Sequence, residues 1–336
     1  MEGPDRPRDA IMSDQPPNSP PSGQAERSGK RRDRPLPTFA ARETFFGTEK
    51  MANAEFSIAG IPFDLGTTNR AGARDGPAAV RRASRMVGGT YPDLWPDLYG
   101  LDIADVGNFS LYMGQLADSL DAIERQAMAY DHLLSVGGDH LVTLPLLRAA
   151  SKRRGGPLGL VHFDAHVDTW AETFQVPFTH GTNFRIAIEE GLVDPKRMVQ
   201  IGIRCRVEPE VWHWTSDQGV TIISAEEVHL GRPDEIAARI VDIVGTSGDT
   251  YLTFDIDCLD PSCAPGTGTP EVGGLLSWQT RAILTRLKGP RFIGMDVVEV
   301  APAYDVAEIT ALNAAAVMAF YLGLQAKKRE GPEPTG

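Results

Sequence analysis

The sequence predicts an α/β protein with three layers, α/β/α, around a mostly parallel central sheet. Two observations carry that expectation. From Phe56 onward, short apolar runs of strand length alternate with stretches of helical periodicity. No linker-like composition interrupts the alternation, so the 336 residues read as one large domain and not two. Alternating strands and helices bury their apolar surfaces best as a parallel sheet covered on both sides. The domain is expected over 37–328, with a disordered tail over 1–36 and a flexible tail over 329–336.

Taken in order, the tail is rich in Pro, Ser, Gly and charge, as in Gln15-Pro-Pro-Asn-Ser-Pro-Pro-Ser-Gly23 and Gly29-Lys-Arg-Arg-Asp-Arg34, and lacks the apolar content to join a core. Met1 and Met12 are both candidate starts. Buried strands are expected at Phe56–Gly60, Leu133–Val136, Leu158–Phe163, Val199–Ile203, Val220–Ile223, Tyr251–Phe254 and Phe292–Val298, because each is a near-continuous apolar run. Between them, Leu116, Leu120, Ile123 and Ala127 share one helical face, and Ile236, Ile240 and Ile243 another. Pro77 after Gly76 suits a helix start, and Ser277 before Trp278 suits an N-cap.

Forty-five acidic against 33 basic residues leave a net charge of −12, which argues against nucleic acid as a partner and mildly favours a cationic one. Three cysteines, Cys205, Cys258 and Cys263, are too few and odd in number for a disulfide framework, so a reducing cytoplasm is expected. No stretch reads as a membrane span or a signal-peptide core, and no membrane partner is expected.

Chemistry concentrates where three of the apolar runs end. Gly137-Gly138-Asp139-His140, Asp164-Ala165-His166-Val167-Asp168 and Asp255-Ile256-Asp257 together offer a dense set of carboxylates and imidazoles. In an extended chain, residues spaced by two share a face, so Asp164, His166 and Asp168 would converge, as would Asp255 and Asp257. Carboxylates packed together at a strand end are costly unless a cation lies among them, and four aspartates balance two divalent ions. The hard oxygen donors and the absence of cysteine at a ligand position disfavour a thiolate zinc site. The mixture of carboxylate and imidazole suits Mn2+ best, with Ni2+ or cobalt compatible. Such a pair of ions activates water at neutral pH.

The ordered motifs Gly137–His140, Asp164–Asp168, His180-Gly181-Thr182 and Phe254–Pro261 resemble the ureohydrolase family of arginases and agmatinases, and the similarity extends over Gly60–Asp64, Arg74–Pro77, Ala264–Pro270 and Gly294–Glu299. The resemblance implies an arginase/deacetylase-like fold. It also implies a binuclear metal site in which His140, Asp164, Asp168 and Asp255 hold one ion and Asp164, His166, Asp255 and Asp257 the other, with Asp164 and Asp255 bridging. The catalytic residues it implies are His180 as general acid, Asp168 as proton relay and Glu299 as the carboxylate that grips a planar guanidinium. Arginases carry a Ser-Gly-Asn stretch before the shuttle histidine. Here that segment is Gln175–Thr179, which places the chain in the agmatinase-like branch; Asn183 stands where the family often has proline or methionine.

The expected activity is hydrolysis of the C–N bond of a linear guanidino compound, agmatine or a relative, to urea and an amine. Guanidinobutyrate, guanidinopropionate, free guanidine and biguanides present the same reacting carbon. The segments expected to read the substrate's tail are 170–179, 183–185 and 204–210. A homo-oligomer, trimer or hexamer, alone or with a related subunit, is implied by the family. Rival readings are a deacetylase of the same fold, disfavoured because no His-His pair is present, and a non-catalytic subunit, disfavoured because no ligand position is degraded.

Overall fold

A computed structural model describes residues 43–87, 98 and 100–327, and the two terminal tails lie outside the described residues. The strands are β1 (Phe56–Gly60), β2 (Ile103–Asn108), β3 (Leu133–Val136), β4 (Leu158–Phe163), β5 (Val193–Ile203), β6 (Thr221–Ser224), β7 (Asp249–Asp255) and β8 (Arg291–Val298). All pair in parallel in a single sheet ordered β2-β1-β3-β8-β7-β4-β5-β6. The helices are α1 (Gly76–Ser84), α2 (Leu116–Ala127), α3 (Thr143–Arg154), α4 (Asn183–Glu189), α5 (Pro209–Asp217), α6 (Ala225–Leu230), α7 (Pro233–Val244), α8 (Ser277–Leu284) and α9 (Ile309–Lys327). The described residues fall within one contact unit, Thr38–Gly336.

The sheet is buried on both faces. On one, Ile58, Val136, Val161, Phe163, Leu252, Phe254, Met295 and Val297 pack against α1, α7, α8 and α9. On the other, Leu133, Leu160, Met198 and Tyr251 pack against α2, α3 and α4. Fully burying one such Leu or Phe is worth about 1.5–3 kcal/mol relative to exposing it, so the expected three-layer fold follows from these runs being apolar on both sides.

Four expectations need correction. The edge strand β2 was not anticipated, because its Asp105 and Gly107 break the apolar pattern; the buried Asp105 carboxylate accepts from Phe45 N–H at 2.9 Å and pairs with Arg81 at 2.9 Å. β5 begins at Val193, six residues ahead of the expected Val199, through a polar segment that contains Pro195. Ser277 is the first residue of α8 and makes no cap; the cap is Leu276, whose N–H donates to the Gln279 side chain at 2.9 Å. The stretch Ile309–Ala326 is long and apolar enough to cross a membrane, with mean hydropathy 1.5, and 78% of it is buried inside the fold, so it serves here as the core helix α9.

Candidate active site

Four neighbouring strands, β3, β8, β7 and β4, end on one edge of the sheet, and each delivers part of the cluster. Ligands of open α/β sheets bind at this carboxyl edge. β3 runs into Gly137-Gly138-Asp139-His140, where the chain squeezes between neighbours: a Cβ on Gly138 would lie 1.4 Å from the Phe63 carbonyl oxygen, and one on Gly137 would lie 2.7 Å from Val142. Only glycine fits there. Asp139 N–H then donates to Phe63 O at 2.9 Å and Glu299 N–H to Gly138 O at 2.8 Å, stitching the ends of β1, β3 and β8 together.

The aspartates converge through turns. An extended chain, as first expected, does not bring them together. β7 ends at Asp255, whose Oδ1 accepts from Asp257 N–H at 2.8 Å and starts the short turn Ile256–Cys258. Ile256 and Cys258 thereby enter the core while Asp257 stays beside Asp255. Asp164 does the same after β4, its Oδ1 accepting from His166 N–H at 2.6 Å, and Asp139 Oδ1 accepts from Leu141 N–H at 3.0 Å. Short carboxylates form such turns readily. Asp168 sits at φ +50 and Glu299 at φ +64, conformations that cost about 1–3 kcal/mol in non-glycine residues and cluster at functional sites.

All six expected ligand positions are brought together. His140 Nδ1 lies 3.0 Å from Asp164 Oδ2, 3.1 Å from Asp168 Oδ2 and 3.2 Å from Asp255 Oδ2. His166 Nδ1 lies 3.2 Å from Asp164 Oδ1 and 3.1 Å from Asp257 Oδ2. Asp164 therefore turns one oxygen to each group. His140 Nδ1 is buried and faces the space that the three oxygens enclose. An imidazole nitrogen and three carboxylate oxygens around one point form a donor set for a hard or borderline divalent cation, and the residues fit such an ion.

The electrostatics agree. Burial disfavours a charged His140, yet Asp164, Asp168 and Asp255 outweigh it and hold its pKa well above 6.5; burial and then Asp257 and Asp164 act on His166 in the same way. Burial, then the charges of Asp257 and Asp164, push Asp255 well up, and burial with Asp164 raises Asp168. Burial opposes ionisation of Asp164, but the surrounding imidazoles, His162 foremost, hold it well below the usual carboxylate range. Positive charge is demanded among these groups.

Beside the cluster, His180 is buried, with Nδ1 at 2.8 Å from Glu299 Oε1 and Nε2 facing Thr68, whose N–H donates at 3.2 Å and whose Oγ1 lies at 2.6 Å. Burial lowers the pKa of His180, but Glu299 overrides it and pushes the pKa up to about 9. Glu299 Oε1 also accepts from His140 N–H at 2.8 Å. Glu299 Oε2 is buried with no partner. Gly268 lies beside it, where a Cβ would come within 3.6 Å of that oxygen.

Two residues of the segments expected to read the substrate tail are engaged within the fold. Asn183 is fully buried, its Nδ2 donating to His140 O at 3.0 Å, and Arg204 spends its guanidinium on the carbonyls of Asp257 (2.8 Å), Cys258 (3.2 Å), Leu259 (3.2 Å) and Glu271 (2.6 Å). Segments 170–179 and 204–210 meet at a rim: Trp170 Nε1 donates to Glu208 at 2.8 Å, and Phe174, Val176 and Phe178 are exposed. Missed altogether were Thr68 and the buried polar residues His162, Thr253, Gln200 and Asp296. Their signal was present: His162 and Thr253 stand two residues before Asp164 and Asp255 inside apolar runs, hence on the same strand face one step deeper.

Comparison with known proteins matches residues 54–323 to the family model described as Arginase family. Among curated relatives, "Agmatinase" of Serratia proteamaculans is 46% identical over 286 residues, covering 83% of this chain and 90% of that protein. A solved structure titled as a hypothetical agmatinase from Burkholderia thailandensis is 41% identical with a TM-score of 0.80, covering 88% of this chain and 94% of that one. Proclavaminate amidino hydrolase from Streptomyces clavuligerus is 34% identical with a TM-score of 0.82, covering 87% and 99%. With the fold, the clustered donors and these matches in agreement, the chain belongs to the arginase family, in its agmatinase-like branch.

Proposed function

We propose that this metal-dependent ureohydrolase cleaves agmatine, or a linear guanidino compound of the same kind, to urea and an amine, using two divalent ions held by His140, Asp164, Asp168 and Asp255 on one side and Asp164, His166, Asp255 and Asp257 on the other. Mn2+ is the proposed metal and Ni2+ the compatible alternative, on the balance of carboxylate and imidazole donors. When bound, the pair supplies Lewis acidity and an activated water at neutral pH.

The chain's own residues do the rest. Glu299 Oε2, buried and unpartnered, is the observation that carries the guanidinium reading. A carboxylate oxygen in that state lacks only a cationic donor, and a guanidinium offers N–H groups in a fixed plane, so binding also orients the carbon to be attacked. His180 exchanges its proton at Nε2, because Nδ1 is committed to Glu299 Oε1. The two influences on the ring oppose each other: Glu299 draws a second proton on, while the Thr68 N–H aimed at Nε2 favours a free lone pair there. That balance suits an acid that must give its proton to the departing amine and recover it. Asp168, whose Oδ2 lies 3.1 Å from His140 Nδ1, would hold metal and could take up a proton beside it. Trimeric or hexameric assembly and a cytoplasmic location belong to the same reading.

A panel of agmatine, 4-guanidinobutyrate, 3-guanidinopropionate, free guanidine and biguanides assayed for urea release with Mn2+ and with Ni2+ tests it. Agmatine is expected to give the highest kcat/KM. Release from none of the panel with either metal would refute the proposal.

A further inference from the structure

At one height across the sheet, five neighbouring strands carry a polar residue on the same face: Ser135 on β3, Asp296 on β8, Thr253 on β7, His162 on β4 and Gln200 on β5, each directly opposite the next in register. All five are fully buried. The row lies beneath the metal cluster, on the face covered by α2, α3 and α4. Thr253 Oγ1 joins His140 Nε2 (2.9 Å) to Asp296 Oδ1 (2.5 Å), and Asp296 is held from α3 by Thr143 at 3.0 Å. His162 Nε2 lies 2.7 Å from Asp164 Oδ2, and its Nδ1 lies 3.1 Å from Gln200 Nε2.

We infer that His162 is a positioning residue for the bridging carboxylate Asp164 and not a further metal ligand, and that Gln200 sets its tautomer. Resting on the metal reading of the site, this assigns two residues that the ligand set leaves out. The hydrogen-bond directions compel it. Gln200 Nε2 donates one hydrogen to Val167 O at 2.6 Å, so the amide nitrogen, and not its oxygen, must face that carbonyl and His162. Its second hydrogen points at His162 Nδ1, which therefore accepts, and the ring proton sits on Nε2 and is donated to Asp164 Oδ2. Gln200 Oε1 is left buried without a partner, the penalty for holding this orientation. Although His162 lies close enough to His140, Asp164 and Asp168 to be grouped with them as a ligand, its Nε2 lone pair is taken by the proton. Phe184, 4.2 Å from the His162 ring and 5.1 Å from that of His140, fixes both planes from α4. Asp164 is thus clamped from two sides, by His166 N–H on Oδ1 and by His162 on Oδ2, before any ion binds.

The test uses the full chain and Mn2+ affinity by chelator competition, together with 15N spectra of the imidazoles in protein loaded with diamagnetic Zn2+. Wild type is expected to show His162 protonated at Nε2 with Nδ1 bare, and Gln200→Glu to add a proton at Nδ1. His162→Phe is expected to weaken Mn2+ binding about 10- to 100-fold, the usual effect of losing a partner behind a metal ligand. His162→Gln, which places an amide N–H near the position of Nε2, should restore affinity to within a few-fold. A wild-type proton on Nδ1, unchanged Mn2+ affinity in His162→Phe, or a His162→Gln as weak as the phenylalanine variant would each overturn the assignment. If His162→Phe does not fold, Gln200→Glu decides: an Nδ1 that stays bare there refutes the role given to Gln200. Absence of Mn2+ binding by the wild type would instead refute the metal reading itself.

Discussion

The two faces of the central strands are built from alternate residues of the same short runs, yet they differ in kind near the carboxyl edge. One face continues apolar to the rim with Val136, Val161, Phe163, Leu252, Phe254 and Val297. The other, at the same height, carries Ser135, His162, Thr253 and Asp296, all buried, and two of them, His162 and Thr253, reach Asp164 and His140. A buried polar row stabilises less than the apolar side chains it replaces, and it leaves Gln200 Oε1 unpaired. The apolar face holds the fold, and the polar face aims the cluster. Strain at Asp168 and Glu299 on the same edge fits that division, since conformations of this kind persist where the surroundings over-determine them.

The division can be broken most severely at Asp164. Asp164→Ala removes an oxygen from each half of the cluster and is expected to lose both ions and bring urea release to background, measured by elemental analysis and turnover. Two ions per chain at full activity would show that Asp164 does not bridge.

Next in size is His180→Ala, where kcat should fall about 10²- to 10⁴-fold, the range for a lost general acid. Because His180 stands outside the ligand set, metal content is expected to stay at the wild-type level. Loss of metal would recast it as a ligand.

Glu299→Gln is expected to reduce kcat/KM by about 2–4 kcal/mol in transition-state stabilisation. The sequence alone suggests a substrate contact with little bearing on stability. The structure adds one, because Glu299 Oε1 accepts from His140 N–H and from His180. His180, raised from 6.5 to about 9, stabilises the fold fully below pH 6.5 and loses that contribution as pH climbs through 9. With chelator present, the melting temperature of Glu299→Gln should therefore vary less between pH 6.5 and 9 than that of wild type. Parallel profiles would separate Glu299 from the His180 ionisation.

The smallest effects sharpen the contrast of faces, one residue apart on β7. Leu252→Ala, on the apolar face, should lower stability by about 2–5 kcal/mol and leave Mn2+ affinity alone. Thr253→Val, on the polar face, should weaken Mn2+ binding about tenfold or more, since it cuts His140 Nε2 from Asp296, at a stability loss of about 1–3 kcal/mol. Equal Mn2+ affinities in the two variants would dissolve the distinction between faces.

What the sequence determined by itself was the inventory and its neighbourhood. Apolar runs of strand length marked seven of the eight strands, because strands buried on both faces must be apolar throughout; β2 escaped because an edge strand tolerates Asp105 and Gly107. The cluster of carboxylates and imidazoles was legible from its spacing at strand ends, whereas the division into ligand sets and the roles of His180 and Glu299 came with the resemblance to the ureohydrolase family. Tertiary structure decided what they do together. Strand order, which sets β3, β8, β7 and β4 side by side, is a matter of long-range pairing that no local pattern encodes. The turn that swings Asp257 beside Asp255, the allotment of the two Asp164 oxygens, and the hydrogen bonds that engage Asn183 and Arg204 are settled in the folded chain, most of them by neighbours distant in sequence. So is the row from Ser135 to Gln200, whose members were visible singly as polar residues in apolar runs. Only the register of five strands places them in one line, because each hydrogen bond in it joins residues dozens of positions apart.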